Sequence, residues 1–269
     1  MTGAARLRIL GGRMPAHILE ETKDRVARIE LARVDKKNAL TAEMYRQLGD
    51  ALARADADPQ VRSVLLHGTP ACFCAGNDLA DFLAQGSGEG PSPAFHFMKH
   101  LSSARKPVVA AVGGPAVGIG TTLLLHCDLV YATPGARFQL PFVPLGIVPE
   151  FASTLLLPLV AGYQRAAELL LLGAPFGAEQ ATAAGFVTRV VAEGELLESA
   201  RGAALALAAL PPASVRLTKE LMRRRTAQAA AEQMAEEWRV FRERLASPEA
   251  REAFTAFFEK RKPDFSRFE

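Results

Sequence analysis

The chain has 269 residues, 49% of them hydrophobic and 23% charged. These are globular averages and exclude a disordered or collagen-like polymer; the length, about 1.8 times a ~150-residue domain, favours one large domain with an appendage. Lys and Arg number 32 against 29 Asp and Glu, and the resulting +3 is too thin to argue for nucleic acid.

In chain order, residues 28–33 alternate polar and apolar, as a half-exposed strand does. Residues 41–55 set Met44, Leu48, Leu52 and Ala55 on one helical face, and Asp58-Pro59 closes the segment. Residues 61–66 read as a short apolar strand. Residues 108–112 are continuous enough for a strand buried on both faces. Two more short strands, 129–131 and 138–140, flank the turn Thr133-Pro134-Gly135. Strands recurring with helices between them predict an α/β body of repeated turns.

The second half is helical in composition over 150–172 and 193–210, and Pro211-Pro212 then interrupts the chain. Helices follow at 214–224, 227–245 and 247–259. The last opens with Ser247 as N-cap, Pro248 at the first helical position and Glu249 in the first turn. This places a boundary near Leu210, with a body over 1–210 and a helical region over 211–269. The Gly/Ser/Pro-rich stretch 85–93 is a flexible loop by composition.

Three cysteines, Cys72, Cys74 and Cys127, cannot all pair, which fits a reducing compartment. Cys72-x-Cys74 lacks the gap of a zinc knuckle and has no second ligand pair, so no metal site is expected. The N-terminal residues carry no apolar run like that of a signal peptide, and Ser-Arg-Phe-Glu at the C-terminus is no peroxisomal address. The most apolar stretches are far short of the ~20 residues that cross a bilayer. A soluble cytoplasmic protein without membrane contact is the expectation.

Two segments follow strands and open with small residues: Ala75-Gly76-Asn77-Asp78-Leu79, and Gly114-Pro115-Ala116-Val117-Gly118-Ile119-Gly120. A helix start reached through such a turn presents unpaired N–H groups, and two converging could hold one developing oxyanion. On spacing alone, ordinary strand-to-helix turns are the favoured reading. A dinucleotide loop fails, because Leu123 stands where the third glycine of GxGxxG belongs and Gln139 where an acid would. No Walker lysine follows any glycine-rich loop.

These segments together resemble the crotonase (enoyl-CoA hydratase/isomerase) superfamily over about residues 25–191, with the C-terminal helices in keeping. Residues 35–40, Asp-Lys-Lys-Asn-Ala-Leu, resemble that family's loop against the CoA adenine. The resemblance implies a spiral of β-β-α turns with a C-terminal helical appendage, assembled as a homotrimer or dimer of trimers. It implies a CoA thioester as substrate rather than a bound cofactor, with its enolate oxygen between the N–H groups of Asn77 and Ile119. CoA contacts would fall at Lys37, Ala39, Ala75, Gly76, Asp78, Leu79, Gly118 and Gly120.

Family hydratases use two glutamates, which would fall at Thr122 and Phe142; neither side chain is an acid or base near neutral pH. The remaining candidate is Glu150, in Ile147-Val148-Pro149-Glu150-Phe151-Ala152-Ser153. That segment is similar to the single-glutamate site of the peroxisomal-type Δ3,Δ2-enoyl-CoA isomerases, where a small residue follows the glutamate. Phe151 would therefore narrow the acyl site. The resemblance implies an isomerase that moves a double bond from position 3 to position 2. The rivals are another crotonase reaction (weak hydration, ring isomerisation or thioester hydrolysis) and a non-catalytic acyl-CoA-binding or RNA-binding relative.

Asp78 and Asp81 fit helix starts, Asp128 a structural role, and His126 a packed core histidine. The run Lys260-Arg261-Lys262 reads as solvated, although the family resemblance makes Lys260 or Arg261 a candidate for the CoA phosphates.

Overall fold

The computed structural model describes residues 17–81 and 92–268; most of the expected 85–93 loop and the N-terminal residues 1–16 lie outside that set. A six-stranded sheet forms the frame. Strands β1 (Ile18–Lys23) and β2 (Val26–Leu31) make an antiparallel hairpin. It turns at Asp24 and Arg25, both at positive φ (52° and 66°), as the twist of a two-residue hairpin turn requires. β2 pairs in parallel with β3 (Ser63–His67), and β3 with β4 (Val108–Val112). A smaller sheet has β5 (Pro115–Val117) beside β7 (Arg137–Gln139), which pairs with β8 (Phe176–Gly177). The large sheet continues from β4 through β6 (Leu129–Ala132) to β9 (Arg189–Val190). Successive stretches thus visit the large sheet, then the small one, then a helix, which is the expected spiral.

Helix α1 (Ala42–Ala57) follows β2 and starts as predicted, with the Thr41 hydroxyl accepting the Met44 N–H at 3.3 Å. It packs with α2 (Pro93–Ser102) over one face of the large sheet. After β5 come α3 (Ile119–Thr122) and a 3-10 continuation, Leu123–His126. After β7 come α4 (Ser153–Ala161) and α5 (Tyr163–Ala167), and after β8 comes α6 (Ala178–Ala183). Then α7 (Leu196–Ala209) covers the sheet's other face, placing Ala200, Ala204 and Ala208 against Leu65, Val109 and Tyr131. Cover on both faces is why β3 and β4 read as unbroken apolar runs.

The helix expected over 150–172 is interrupted. Gly162 (φ 79°) separates α4 from α5, and Glu168–Leu172 adds a π-helical turn. Glu150 precedes α4 and is no first-turn residue. The strands β5, β8 and β9 span only two or three residues, too few for any periodicity to declare them.

Beyond Leu210 lie α8 (Pro212–Arg223), α9 (Ala227–Leu245) and α10 (Pro248–Phe258), the last capped by Ser247 on the Ala250 N–H. Buried ion pairs tie α8 to the body. Lys219 Nζ donates to Asp128 Oδ2 at 2.6 Å and to the Lys106 carbonyl at 2.7 Å. Arg223 donates to the His126 carbonyl at 2.6 Å. Among the described residues, no helix is long and apolar enough to cross a membrane.

Candidate active site

Two backbone segments run side by side after β3 and β4. Cys74 donates its N–H to the Pro115 carbonyl (3.0 Å), and its own carbonyl takes the Val117 N–H (2.9 Å). This contact needs a glycine: a Cβ on Gly120 would lie 2.5 Å from the Cys74 carbonyl oxygen. Further along, Leu40 donates to the Gly76 carbonyl (2.8 Å) and accepts from the Asp78 N–H (2.9 Å). That parallel bridge uses both backbone groups of Leu40 and leaves the Asn77 N–H turned away from it. Ile119 opens α3 after Gly118 (φ 56°, ψ −119°), so its first-turn N–H has no acceptor within the helix.

Asn77 and Ile119 line one cleft of about 590 Å³, together with Ala39, Ala75, Gly76, Asp78, Leu79 and Gly118. Lys37 and Gly120, two of the predicted CoA contacts, do not line this cleft. The Lys37 carbonyl anchors the Ala75 N–H (3.0 Å), and the neighbouring Lys36 is the lysine on the cleft wall. Gly120 is absent from the wall because it packs against Cys74. The cleft also has an apolar wall, where Phe142, Leu145 and Ile147 meet Phe254, Phe257 and Phe258 of α10.

Glu150 is not among the residues that line this cleft and is 2% exposed. Burial, then the charge of Glu237, pushes its carboxyl up to about 8. Its Oε1 has no hydrogen-bond partner among the described residues, nor do the buried hydroxyls of Thr122 and Ser153. Tyr45 bonds the cleft residue Asn77 and lies within reach of the Glu150 charge. Its hydroxyl donates to the Asn77 side-chain oxygen, and burial with the nearby Glu150 charge holds the phenol well above its ordinary range. Cys74 is likewise pushed up to about 12, chiefly by burial.

The backbone after Glu150 is strained. Phe151 and Ala152 both take left-handed conformations (φ 63° and 54°), at roughly 1–2 kcal/mol each for an L residue. The Phe151 ring stacks on the His126 imidazole (3.9 Å between centroids, 20°), and His126 Nε2–H donates to the Phe151 carbonyl at 2.8 Å. Burial pushes His126 down to about 4, so it is a neutral donor, in keeping with the core role expected of it. Phe151 is 1% exposed and packs in this core, so it does not narrow the cleft as expected, and Phe142 is on the cleft wall. The turn predicts an inversion of the usual Ala-over-Gly order. In urea denaturation, Phe151→Gly should be more stable than Phe151→Ala by about 1 kcal/mol, both lying below wild type by roughly 3 kcal/mol.

Asp78 accepts the Asp81 N–H (3.1 Å) at the start of the next helix and the Arg33 guanidinium at 2.7 Å; Asp81 accepts the Ala42 N–H at 2.8 Å. Arg261, a candidate for CoA phosphates, is paired with Glu252 (2.5 Å) and Glu259 (2.6 Å).

The profile of the enoyl-CoA hydratase/isomerase family matches residues 21–267. The chain belongs to that family. Family membership makes it an enzyme of acyl-CoA metabolism with the crotonase fold. A probable enoyl-CoA hydratase of Rhizobium meliloti (strain 1021) is 35% identical over 92% of the chain and 97% of that protein. Enoyl-CoA delta isomerase 2 of Rattus norvegicus is 36% identical over 91% of the chain and 64% of the rat protein. The crystal structure of an enoyl-CoA hydratase/isomerase from Pseudoalteromonas atlantica T6c is 42% identical, with a TM-score of 0.89 over 93% of this chain and 99% of that one.

In this family member, sequence reasoning missed Tyr45, Lys36, Gln139, Glu237 and the phenylalanines of α10. Tyr45 and Glu237 sit in helices as ordinary amphipathic positions, with no local motif to mark them. The aromatic triplet Phe254, Phe257 and Phe258 carried a signal, since three phenylalanines gathered at the end of one helix call for a partner surface.

Proposed function

We propose that the protein is a 3-enoyl-CoA to trans-2-enoyl-CoA isomerase with Glu150 as its single acid–base group. The observation that supports this most is a buried carboxyl with a free oxygen: Glu150 Oε1 has no hydrogen-bond partner among the described residues, and burial pushes the group up to about 8. Thr122 and Phe142 occupy the positions where hydratases carry their pair. The carboxylate takes a proton from C2 of the 3-enoyl thioester, and the C–H electron pair flows toward the carbonyl, giving a dienolate. The Asn77 and Ile119 N–H groups hold its oxygen, each contributing about 2.7–4 kcal/mol to the transition state. The protonated Glu150 then delivers the same proton to C4, the oxyanion re-forms the carbonyl, and the double bond comes to rest between C2 and C3. The place of Ala39, Ala75, Gly76, Asp78, Leu79 and Gly118 on the cleft wall supports the assignment of CoA contacts to them.

Purified protein is expected to convert 3-hexenoyl-CoA to the 2-enoyl product and to hydrate 2-butenoyl-CoA poorly. Efficient hydration, with little isomerisation, would replace this reading by the hydratase one that the Rhizobium relative's name favours. The base must be ionised, so kcat/KM should rise about tenfold per pH unit below a midpoint near 8 and level off above it. At pH 6 it should be about a hundredfold below the plateau; a flat profile from pH 6 to 9 would exclude Glu150 as the base.

A homotrimeric assembly, or a dimer of trimers, belongs to the same proposal. Leu159, Val160, Tyr163, Leu171 and Leu172 are exposed together around α4 and α5, and Leu217, Leu221 and Met222 on α8, the kind of apolar surface that association covers.

A further inference from the structure

We propose that Glu237, on α9, is a positioning residue for the proton transfers assigned to Glu150, fixing the left-handed turn behind that glutamate and setting the charge beside it. The inference rests on the reading of Glu150 as the base.

Helix α4 begins without a cap of its own, because Ala152 stands at the N-cap and has no side-chain oxygen. Glu237, 85 residues further along the chain, supplies one. Its Oε2 accepts the Ala152 N–H at 2.5 Å; its Oε1 accepts the Thr154 N–H at 2.9 Å and the Thr154 hydroxyl at 2.5 Å. Gln233 Nε2 donates to that hydroxyl oxygen at 2.8 Å, which directs the hydroxyl proton onto Glu237. Three donors therefore converge on a side chain that is only 4% exposed.

The strained turn is thus fastened at two points. His126 holds the Phe151 carbonyl and Glu237 holds the Ala152 N–H. A turn that costs roughly 1–2 kcal/mol per residue relaxes when either hold is lost, and Glu150 is directly attached to it.

Charge is the second link. The titratable groups facing Glu150 are Tyr45 on α1, Cys74 after β3 and Glu237 on α9. Burial keeps Tyr45 and Cys74 protonated near neutrality, and His126, on the far side of Phe151, is neutral. Glu237 is the neighbour that ionises: burial pushes it up to about 7, against the pull of its three donors. Burial raises both carboxyls, and whichever ionises first holds the other's proton more firmly. A negative neighbour makes Glu150 a stronger base toward C2 once it ionises.

The test follows the infrared carbonyl stretch of the protonated Glu150 carboxyl, identified by its loss in Glu150→Gln, from pH 5 to 10 without substrate. In Glu237→Gln the midpoint should fall by about one pH unit. With 3-hexenoyl-CoA, kcat should fall about 10–100-fold and KM should stay within about twofold. Thr154→Val keeps the Glu237 carboxyl but removes one donor, and should move the midpoint the same way by less; it decides the matter if Glu237→Gln does not fold. Glu237→Asp should restore the midpoint toward wild type. An unmoved midpoint in a folded variant overturns the proposal. A shifted midpoint in a protein that does not isomerise 3-hexenoyl-CoA upholds the Glu237–Glu150 coupling and rejects the assigned reaction.

Discussion

Glu150→Gln should lower kcat for 3-enoyl-CoA isomerisation by about 10²–10⁴-fold, the range a positioned acid–base group contributes, while binding of CoA thioesters persists. The amide is nearly isosteric and cannot accept the C2 proton, so steady-state kinetics alongside equilibrium binding of the 2-enoyl product separate chemistry from binding. A variant retaining wild-type kcat would remove Glu150 from the mechanism. The same substitution has a stability signature of defined sign. The folded carboxyl is raised to about 8, so the native state keeps a proton that the unfolded chain releases near the ordinary carboxylate range. Stability is therefore highest below that range and is lost as pH rises toward 8. Glu150→Gln removes that loss, and its melting temperature should exceed that of wild type at pH 9 but not at pH 5.

The second large effect is structural. Asp128→Ala should destabilise the protein by roughly 3–5 kcal/mol, because it leaves the Lys219 ammonium buried and unpaired. Lys219 is 5% exposed, and Asp128 also accepts the Val108 N–H at 2.7 Å and the Arg223 guanidinium at 3.4 Å. The melting temperature should fall on the order of 10 °C. Adding Lys219→Met should recover part of the loss, since the second change removes the stranded charge. A single mutant within about 1 kcal/mol of wild type would mean that α8 is held by packing alone.

Much of the frame was legible in the sequence because the elements that build it carry strong local signals. α1 shows its apolar face at helical spacing; α10 shows Ser-Pro-Glu; β4 shows an unbroken apolar run. The paired segments around Asn77 and Ile119 were legible as small-residue turns, and the resemblance told which N–H groups to examine. What stayed hidden depends on distance along the chain. Nothing near Glu237 says that it caps a helix 85 residues away, and nothing at Phe151 says that its backbone is left-handed, a conformation that glycine would have announced. The place of Lys36 on the cleft wall has the same origin. Lys36 and Lys37 are indistinguishable by pattern, and the left-handed Lys37 (φ 50°) decides which side chain meets the cleft.

The wall that α10 lends to the cleft also constrains the order in which the site forms. Lys36 and Phe258, near opposite ends of the chain, line the same space, and Glu237 completes the turn behind Glu150 only once α9 is in place. A nascent chain emerging N-terminus first can pair β1 through β4 early, because their partners are already made. Its cleft stays open on one side and its left-handed turn uncapped until α9 and α10 have docked. Competence for binding should thus appear late in synthesis and refolding, after most of the sheet, with closure of the longest loops as its gate.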